Sequence, residues 1–288
     1  MVSGRTKVLC VIGAPIAHSL SPLMQNAALR AAGLDYVYIA LPVRPQALHS
    51  AVRGLCDAGI CGFNVTIPFK TAILDLDLMD VLDEDARRIR AVNTVVVEPD
   101  GTLVGYNTDV CGFLAALIKR SIVLDGKQVV LLGAGGAARA ALWGVLKQGA
   151  KKVSIGVRNP MKGMLLCEDF AADGDVQAFH FSDAVFSERL HAADLIIQTT
   201  PMGMAPHIQE MPPIDWSVVN PKAVAYDLIY TPMKTRFLRE AEQHGLSVVN
   251  GEAMLIAQGA EAFYLWTGVR PDVEVMTRML REELRRRG

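Results

Sequence analysis

The sequence has almost no net charge, no long uninterrupted apolar run and no metal-ligating cluster, and each absence narrows what the chain can be. Its 29 Lys and Arg nearly balance 30 Asp and Glu, for a net charge of −1. A protein that grips nucleic acid irrespective of sequence carries a strong basic excess, so the balance argues against that class. The most apolar stretch, 253–266, is interrupted by Gln258 and Glu261 and is shorter than the ~20 residues a membrane-spanning helix requires. The opening MVSGRTKVLCVIGAP holds a short apolar run without the length or cleavage pattern of a signal peptide. Five cysteines (Cys10, Cys56, Cys61, Cys111 and Cys167) are an odd number in no metal-ligand spacing. They read as free thiols in a reducing cytoplasm.

What is present is a chain of 288 residues, 51% hydrophobic and 20% charged. That composition excludes disorder and suits buried parallel strands, which read as continuous apolar runs. At roughly 150 residues per domain the length suggests two domains. Strand patterns at 7–12, 36–41 and 63–67 alternate with helical patterns at 22–32 and 47–58, and further strands are expected at 94–98 and 103–106. The alternation restarts with a helix at 114–121, then strands at 128–132, 153–157, 195–198, 224–228 and 247–249. Helices from 252 and 273 close the chain. This is an α/β layer structure.

The apolar strand 128–132 runs into Gly133-Ala134-Gly135-Gly136-Ala137-Ala138, which opens a helix. G-x-G-x-x-A in a strand–turn–helix context points to a dinucleotide site. Gly133 permits the tight turn, Gly135 lets the backbone approach a pyrophosphate held by the helix N-terminus, and Ala138 allows close helix–strand packing. An NAD site usually places an acid at the end of the next strand for the ribose 2′-hydroxyl. Here that place reads Gly156-Val157-Arg158-Asn159, and Arg158 with Lys162 offers two cations where a 2′-phosphate would lie. NADP is therefore expected, with NAD the alternative.

A second set of polar residues lies outside this unit. Ser19 and Ser21 flank Leu20 before a helix start; Asn64, Thr66 and Lys70 occupy N-V-T-I-P-F-K; Asn93 sits in A-V-N-T; and Asp109 closes G-Y-N-T-D at a strand end. Hydroxyls, amides, a lysine and a carboxylate at the carboxyl ends of α/β strands suit a small polyhydroxylated ligand. Each alone is more often a cap or turn residue.

Together, and in this order, these motifs closely resemble the shikimate dehydrogenase family along nearly the whole chain. The resemblance implies NADP-linked interconversion of shikimate and 3-dehydroshikimate in the shikimate pathway. It implies an α/β protein of two domains: a substrate-binding domain with a mainly parallel sheet, and a Rossmann-type dinucleotide-binding domain. The expected segments are 1–108 and 252–288 for the substrate domain, with 109–251 inserted for NADP. Carried over residue by residue, Ser19 and Ser21 would hold the substrate carboxylate; Thr66, Asn93 and Asp109 the ring hydroxyls; and Lys70 with Asp109 would form the catalytic pair. Asn64, Tyr230 and Gln258 would add substrate contacts. Gly133, Ala134, Gly135, Gly136 and Ala137 would cradle the cofactor phosphates, with Arg158 and Lys162 at the 2′-phosphate. Thr199, Thr200, Met202 and Gly251 would line the nicotinamide. No metal is implied. The expected partner is the small-molecule substrate, with no nucleic acid or membrane, in a cytoplasmic monomer or homodimer. An NAD-preferring quinate/shikimate dehydrogenase and a non-enzymatic dinucleotide-sensing regulator are the competing readings. An intact Lys70 and Asp109 weigh against the second.

Overall fold

In a computed structural model that describes residues 2–287, the chain divides into two units. One runs as far as Gly112 and resumes over Ile256–Arg287; the other is Phe113–Leu255. The elements of the first are β1 (Lys7–Gly13), α1 (Ser21–Ala31), β2 (Tyr36–Pro42), α2 (Leu48–Asp57), β3 (Gly62–Val65), α3 (Phe69–Ala72), β4 (Val81–Leu82), α4 (Glu84–Ile89), β5 (Thr94–Val97) and β6 (Leu103–Tyr106). Helix α5 (Thr108–Lys119) crosses into the second unit.

The first sheet has the order β2-β1-β3-β5-β6-β4. Its β1–β2, β1–β3 and β4–β6 pairs are parallel, and β5 runs antiparallel to both neighbours. Apolar runs such as KVLCVIG build it. Cys10, Ile12, Phe63, Val65 and Val95 from three of these strands share one core with Leu48 and Val52 of α2 and Phe69 of α3.

The second unit comprises β7 (Gln128–Leu132), α6 (Gly136–Lys147), β8 (Lys152–Val157), α7 (Pro160–Asp169), β9 (Val176–His180), α8 (Ala184–Ala192), β10 (Leu195–Gln198), β11 (Val224–Asp227), α9 (Arg236–Gln243) and β12 (Ser247–Val249). Helix α10 (Glu252–Thr267) leads back to the first unit, and α11 (Val273–Arg287) ends the description. This sheet is parallel throughout, in the order β12-β11-β10-β7-β8-β9. That is the doubly wound dinucleotide-binding order, whose switch point falls between its first and fourth strands, here β7 and β10. Gln198 pairs with Leu132, so the chain leaves both strands side by side. Ligands of such sheets bind beyond the strand ends at this point.

The sequence pattern did not anticipate β4, β9, α7, α8 or α9. Strand β9 is a sheet edge and only half-buried, so it lacks the continuous apolar signature of its neighbours. Helix α5 begins at Thr108 rather than near 114. Asp109 therefore stands in the first turn of a helix and not at a strand end. Among the described residues, no helix is long and apolar enough to cross a membrane, and no group of His, Cys, Asp and Glu could hold a metal ion.

Candidate active site

Strand β6 ends at Tyr106, and Asn107 and Thr108 turn the chain into α5, lifting Asp109 above the carboxyl ends of β3 and β6 and the amino end of β5. The Asn107 amide fixes this corner: its Nδ2 donates to the Ala91 carbonyl at 2.8 Å, and its Oδ1 accepts from the Asp109 N–H at 3.1 Å. Lys70, on the short α3 that follows the β3 segment, reaches Asp109 with Nζ 2.5 Å from Oδ2. The two side chains are 17% and 7% exposed, so the pair is largely shielded yet open at the lysine. Asp109 lies in the first turn of α5, where a helix N-terminus favours an acidic side chain.

The other carboxylate oxygen is held by Asn93, whose Nδ2 donates to Asp109 Oδ1 at 2.9 Å and to Thr108 Oγ1 at 3.0 Å. Asn93 Oδ1 in turn accepts from the Thr108 N–H at 2.8 Å and from the Thr94 hydroxyl at 3.0 Å. Both amide protons of Asn93 are thus committed within the protein. Asn64 is likewise engaged. Its Nδ2 donates to the Asn93 carbonyl at 3.0 Å and to Thr94 Oγ1 at 2.9 Å, while Oδ1 accepts from the Tyr38 phenol at 2.6 Å. An amide has two N–H donors, so Asn64 has none left for a ligand. Its geometry is that of a brace for Asn93 and Thr94.

Ser19 and Ser21 stand half-buried at the start of α1, and Ser19 Oγ accepts from the Ser21 N–H at 3.3 Å. Thr66, half-buried, follows β3, and Gln258, half-buried, lies on α10. That helix is tied to α1 by Gln25 Nε2 donating to the Gly259 carbonyl at 2.8 Å. The first unit therefore carries Ser19, Ser21, Asn64, Thr66, Lys70, Asn93, Asp109 and Gln258, whereas Tyr230 belongs to the second.

In the second unit, Gly133 takes φ +109°, and a Cβ there would stand 2.8 Å from Thr199 Oγ1. Both the conformation and the closeness require glycine. Gly135 caps α6 without any side-chain hydrogen bond, and space around its missing Cβ is open. The first-turn amides of α6 thus face a cradle with no side-chain acceptor, a donor set that fits a pyrophosphate. Ala134, Gly136 and Ala137 form the rest of this turn, and Ala138 is fully buried against the sheet. Arg158 and Lys162 are exposed around the start of α7, which Asn159 caps through Oδ1 at 3.1 Å from the Met161 N–H.

Opposite Gly133, the loop after β10 is held by Gln198, which is fully buried. Its Nε2 donates to the Thr200 and Met202 carbonyls at 3.0 and 2.9 Å, and its Oε1 accepts from the Thr200 N–H at 2.5 Å. Thr199 donates its hydroxyl to the Leu132 carbonyl at 2.7 Å. After β11, Asp227 accepts from the Ile229 N–H at 3.0 Å and the Thr235 hydroxyl at 2.5 Å. It thereby shapes the turn that leads to Tyr230. Burial pushes the Asp227 carboxyl up to about 7. Gly251 closes on this turn: its N–H donates to the Ile229 carbonyl at 3.0 Å, and a Cβ would lie 2.0 Å from the Leu228 oxygen.

Tyr38, Thr94, Thr108, Gln198 and Asp227 escaped the sequence reading. Tyr38 and Thr94 read as strand residues, and only the polarity of Gln198 and Asp227 at the ends of apolar strands could have singled them out.

Three family models match in chain order: shikimate dehydrogenase substrate binding domain over residues 11–95, shikimate/quinate 5-dehydrogenase over 115–208, and shikimate 5′-dehydrogenase C-terminal domain over 251–281. A shikimate dehydrogenase (NADP+) of Methanothermobacter thermautotrophicus is 42% identical over 286 residues, covering 99% of this chain and 100% of that protein. The solved shikimate 5-dehydrogenase of Thermus thermophilus, in complex with NADP(H) and shikimate, superposes with a TM-score of 0.85 at 36% identity, covering 96% of this chain and 99% of that one. The Listeria monocytogenes shikimate 5-dehydrogenase, in complex with shikimate and NAD, gives a TM-score of 0.88 at 34% identity, with coverage of 97% and 98%. With its switch-point glycine turn, its braced lysine–aspartate pair and this likeness along its length, the chain belongs to the shikimate dehydrogenase family.

Proposed function

We infer that this protein catalyses the reversible NADP-dependent reduction of 3-dehydroshikimate to shikimate. The observation that carries the reading is the Lys70–Asp109 pair, at 2.5 Å and braced by Asn93. A protein that only sensed the ligand would have no use for a shielded proton-transfer pair. When bound, the nicotinamide accepts or supplies the hydride at the carbon bearing the reacting oxygen. The first unit's residues do the rest. In the oxidation direction the proton of the substrate hydroxyl passes to the Lys70–Asp109 pair, at Lys70 Nζ, as the carbon–oxygen double bond forms. In reduction the same group returns it to the developing alkoxide. The proton transfer is assigned to the Lys70–Asp109 pair and not to one microscopic state of either side chain.

Ser19 and Ser21 are assigned to the substrate carboxylate, Thr66, Asn93 and Asp109 to ring hydroxyls, and Gln258 and Tyr230 to further polar contacts. Asn93 can reach a ring hydroxyl by giving up one of its internal donations. For the cofactor, the turn 133–137 would hold the pyrophosphate on the amides of α6, Thr199, Thr200, Met202 and Gly251 would face the nicotinamide, and Arg158 with Lys162 would hold the 2′-phosphate. A charge-assisted contact contributes roughly 1.5–3 kcal/mol, and each 1.4 kcal/mol is about tenfold. Arg158 alone should favour NADP over NAD by about 10- to 100-fold. The chain is assigned to the cytoplasm, as a monomer or homodimer acting on its small-molecule substrate.

The test follows nicotinamide absorbance with shikimate and quinate, each with NADP and NAD, for wild type and Arg158→Ala. Shikimate with NADP should give the highest kcat/KM, and Arg158→Ala should lose most of the NADP preference while leaving NAD turnover nearly unchanged. A wild type that uses NAD as well as NADP, or quinate as well as shikimate, contradicts this assignment.

A further inference from the structure

Tyr38 is 1% exposed, on β2, with its ring 5.8 Å from that of Trp266. Nothing in the chemistry proposed above uses it, yet its phenol donates to Asn64 Oδ1 at 2.6 Å. A phenol has one proton, and here it goes to Asn64. That choice turns the Asn64 oxygen toward Tyr38 and both Nδ2 protons toward the Asn93 carbonyl and Thr94 Oγ1. Having accepted from Asn64, Thr94 sends its own proton to Asn93 Oδ1. The Asn93 amide nitrogen then faces Asp109, whose other oxygen takes Lys70. Turning Asn64 over would set its oxygen against the Asn93 carbonyl, acceptor facing acceptor. One order of donors and acceptors therefore runs from the phenol to the carboxylate, entirely within buried groups.

We propose that Tyr38 is a positioning residue for the reaction, whose hydroxyl sets, through Asn64, Thr94 and Asn93, the orientation of the Lys70–Asp109 pair. The proposal rests on the function assigned above. It is physically consistent that burial holds the phenol's pKa well above its ordinary value, which keeps the group a donor. Buried polar networks of this kind rigidify a site only while every member is satisfied. Loss of the phenolic proton leaves a buried amide oxygen without that donor.

The experiment compares wild type, Tyr38→Phe, Thr94→Val and Thr94→Ser in steady-state shikimate oxidation with NADP, in H2O and D2O, with thermal unfolding recorded for each. Tyr38→Phe is expected to lower kcat about 10-fold with a smaller change in KM for shikimate, to leave KM for NADP unchanged, and to enlarge the solvent isotope effect on kcat as proton transfer becomes slower. Thr94→Val breaks the chain farther in, and should lower kcat with the same enlarged isotope effect. Thr94→Ser, which restores the hydroxyl, should recover most of the loss. A merely structural role would scale activity with the folded fraction and leave the isotope effect where it was. That result, or a folded Tyr38→Phe with wild-type constants, overturns the proposal while an active wild type keeps the assigned function. A wild type that does not oxidise shikimate overturns both.

Discussion

Asp227→Asn exchanges one oxygen for a nitrogen in a site that is fully buried. Both carboxylate oxygens are used, one by the Thr235 hydroxyl and one by the Ile229 N–H. Burial nevertheless dominates these two bonds and raises the group from 3.8 to about 7. A shift of that size is worth about 4 kcal/mol at 1.36 kcal/mol per unit. The unfolded chain releases this proton near its ordinary value, and the native state keeps it until about pH 7. Across that window the native state binds more protons, so the Asp227 contribution to stability falls as pH rises and levels off above it. Asparagine does not titrate; its oxygen can accept from Ile229, and its nitrogen can donate to Thr235 Oγ1. The variant's stability relative to wild type should therefore improve by about 4 kcal/mol between about pH 4 and about pH 8.5. Urea unfolding of both proteins at several pH values in this range measures the difference directly, provided the m-values agree. Parallel curves, or a variant that loses ground as pH rises, would show that Asp227 does not hold its proton in the native state.

Lys70→Ala should lower kcat ~10²–10⁴-fold with a much smaller change in shikimate KM, since proton transfer is needed mainly in the transition state; steady-state kinetics at saturating NADP decides it. Joint replacement of Ser19 and Ser21 by Ala should act chiefly on KM for shikimate, and an unchanged KM would leave the hydroxyls as caps of α1. Gln198→Leu removes three hydrogen bonds to the Thr200–Met202 loop. It should raise KM for NADP at least several-fold and cost about 2–4 kcal/mol in urea unfolding, at roughly 1 kcal/mol per bond and more where a partner stays buried. Gly251→Ala drives a Cβ into the Leu228 backbone oxygen. Overpacking of this kind costs typically 1–3 kcal/mol, and the lowered melting temperature should be accompanied by weakened NADP binding in a fluorescence titration.

The sheet strands were legible because parallel strands buried on both faces write themselves as unbroken apolar runs: QVVLL and LIIQ could hardly be anything else. The glycine turn after β7 was legible for a related reason, since the backbone conformation at Gly133 excludes other residues. Edge elements were not. VQAFH in β9 is half-exposed, and the helices flanking it pack through few side chains, so their patterns carry little periodicity. Within the candidate site, the residues expected to touch substrate were visible as motifs, but their braces were not. Tyr38 looks like any strand tyrosine, and its meaning arises only when β2, β3 and β5 bring it to Asn64 and Thr94. The expected substrate contact at Asn64 is the instructive case. The family motif marked that amide as a substrate contact, but only the geometry shows that both its protons are spent on Asn93 and Thr94.

The discontinuous first unit has a consequence for synthesis. Trp266 of α10 lies over Gly62 of β3, where a Cβ would come within 2.4 Å of the indole, and donates to the Val95 carbonyl 171 residues away. Gln25 binds the Gly259 carbonyl across 234 residues. The second unit, by contrast, is one unbroken stretch from Phe113 to Leu255. A ribosome adding about 5–20 residues per second delivers nearly all of that stretch before α10, α11 and their indole lid exist. For those seconds the nascent β1–β6 sheet has an uncovered apolar face, while the later-made dinucleotide unit already has every strand it needs. The part of the protein that is translated first is thus the part that closes last.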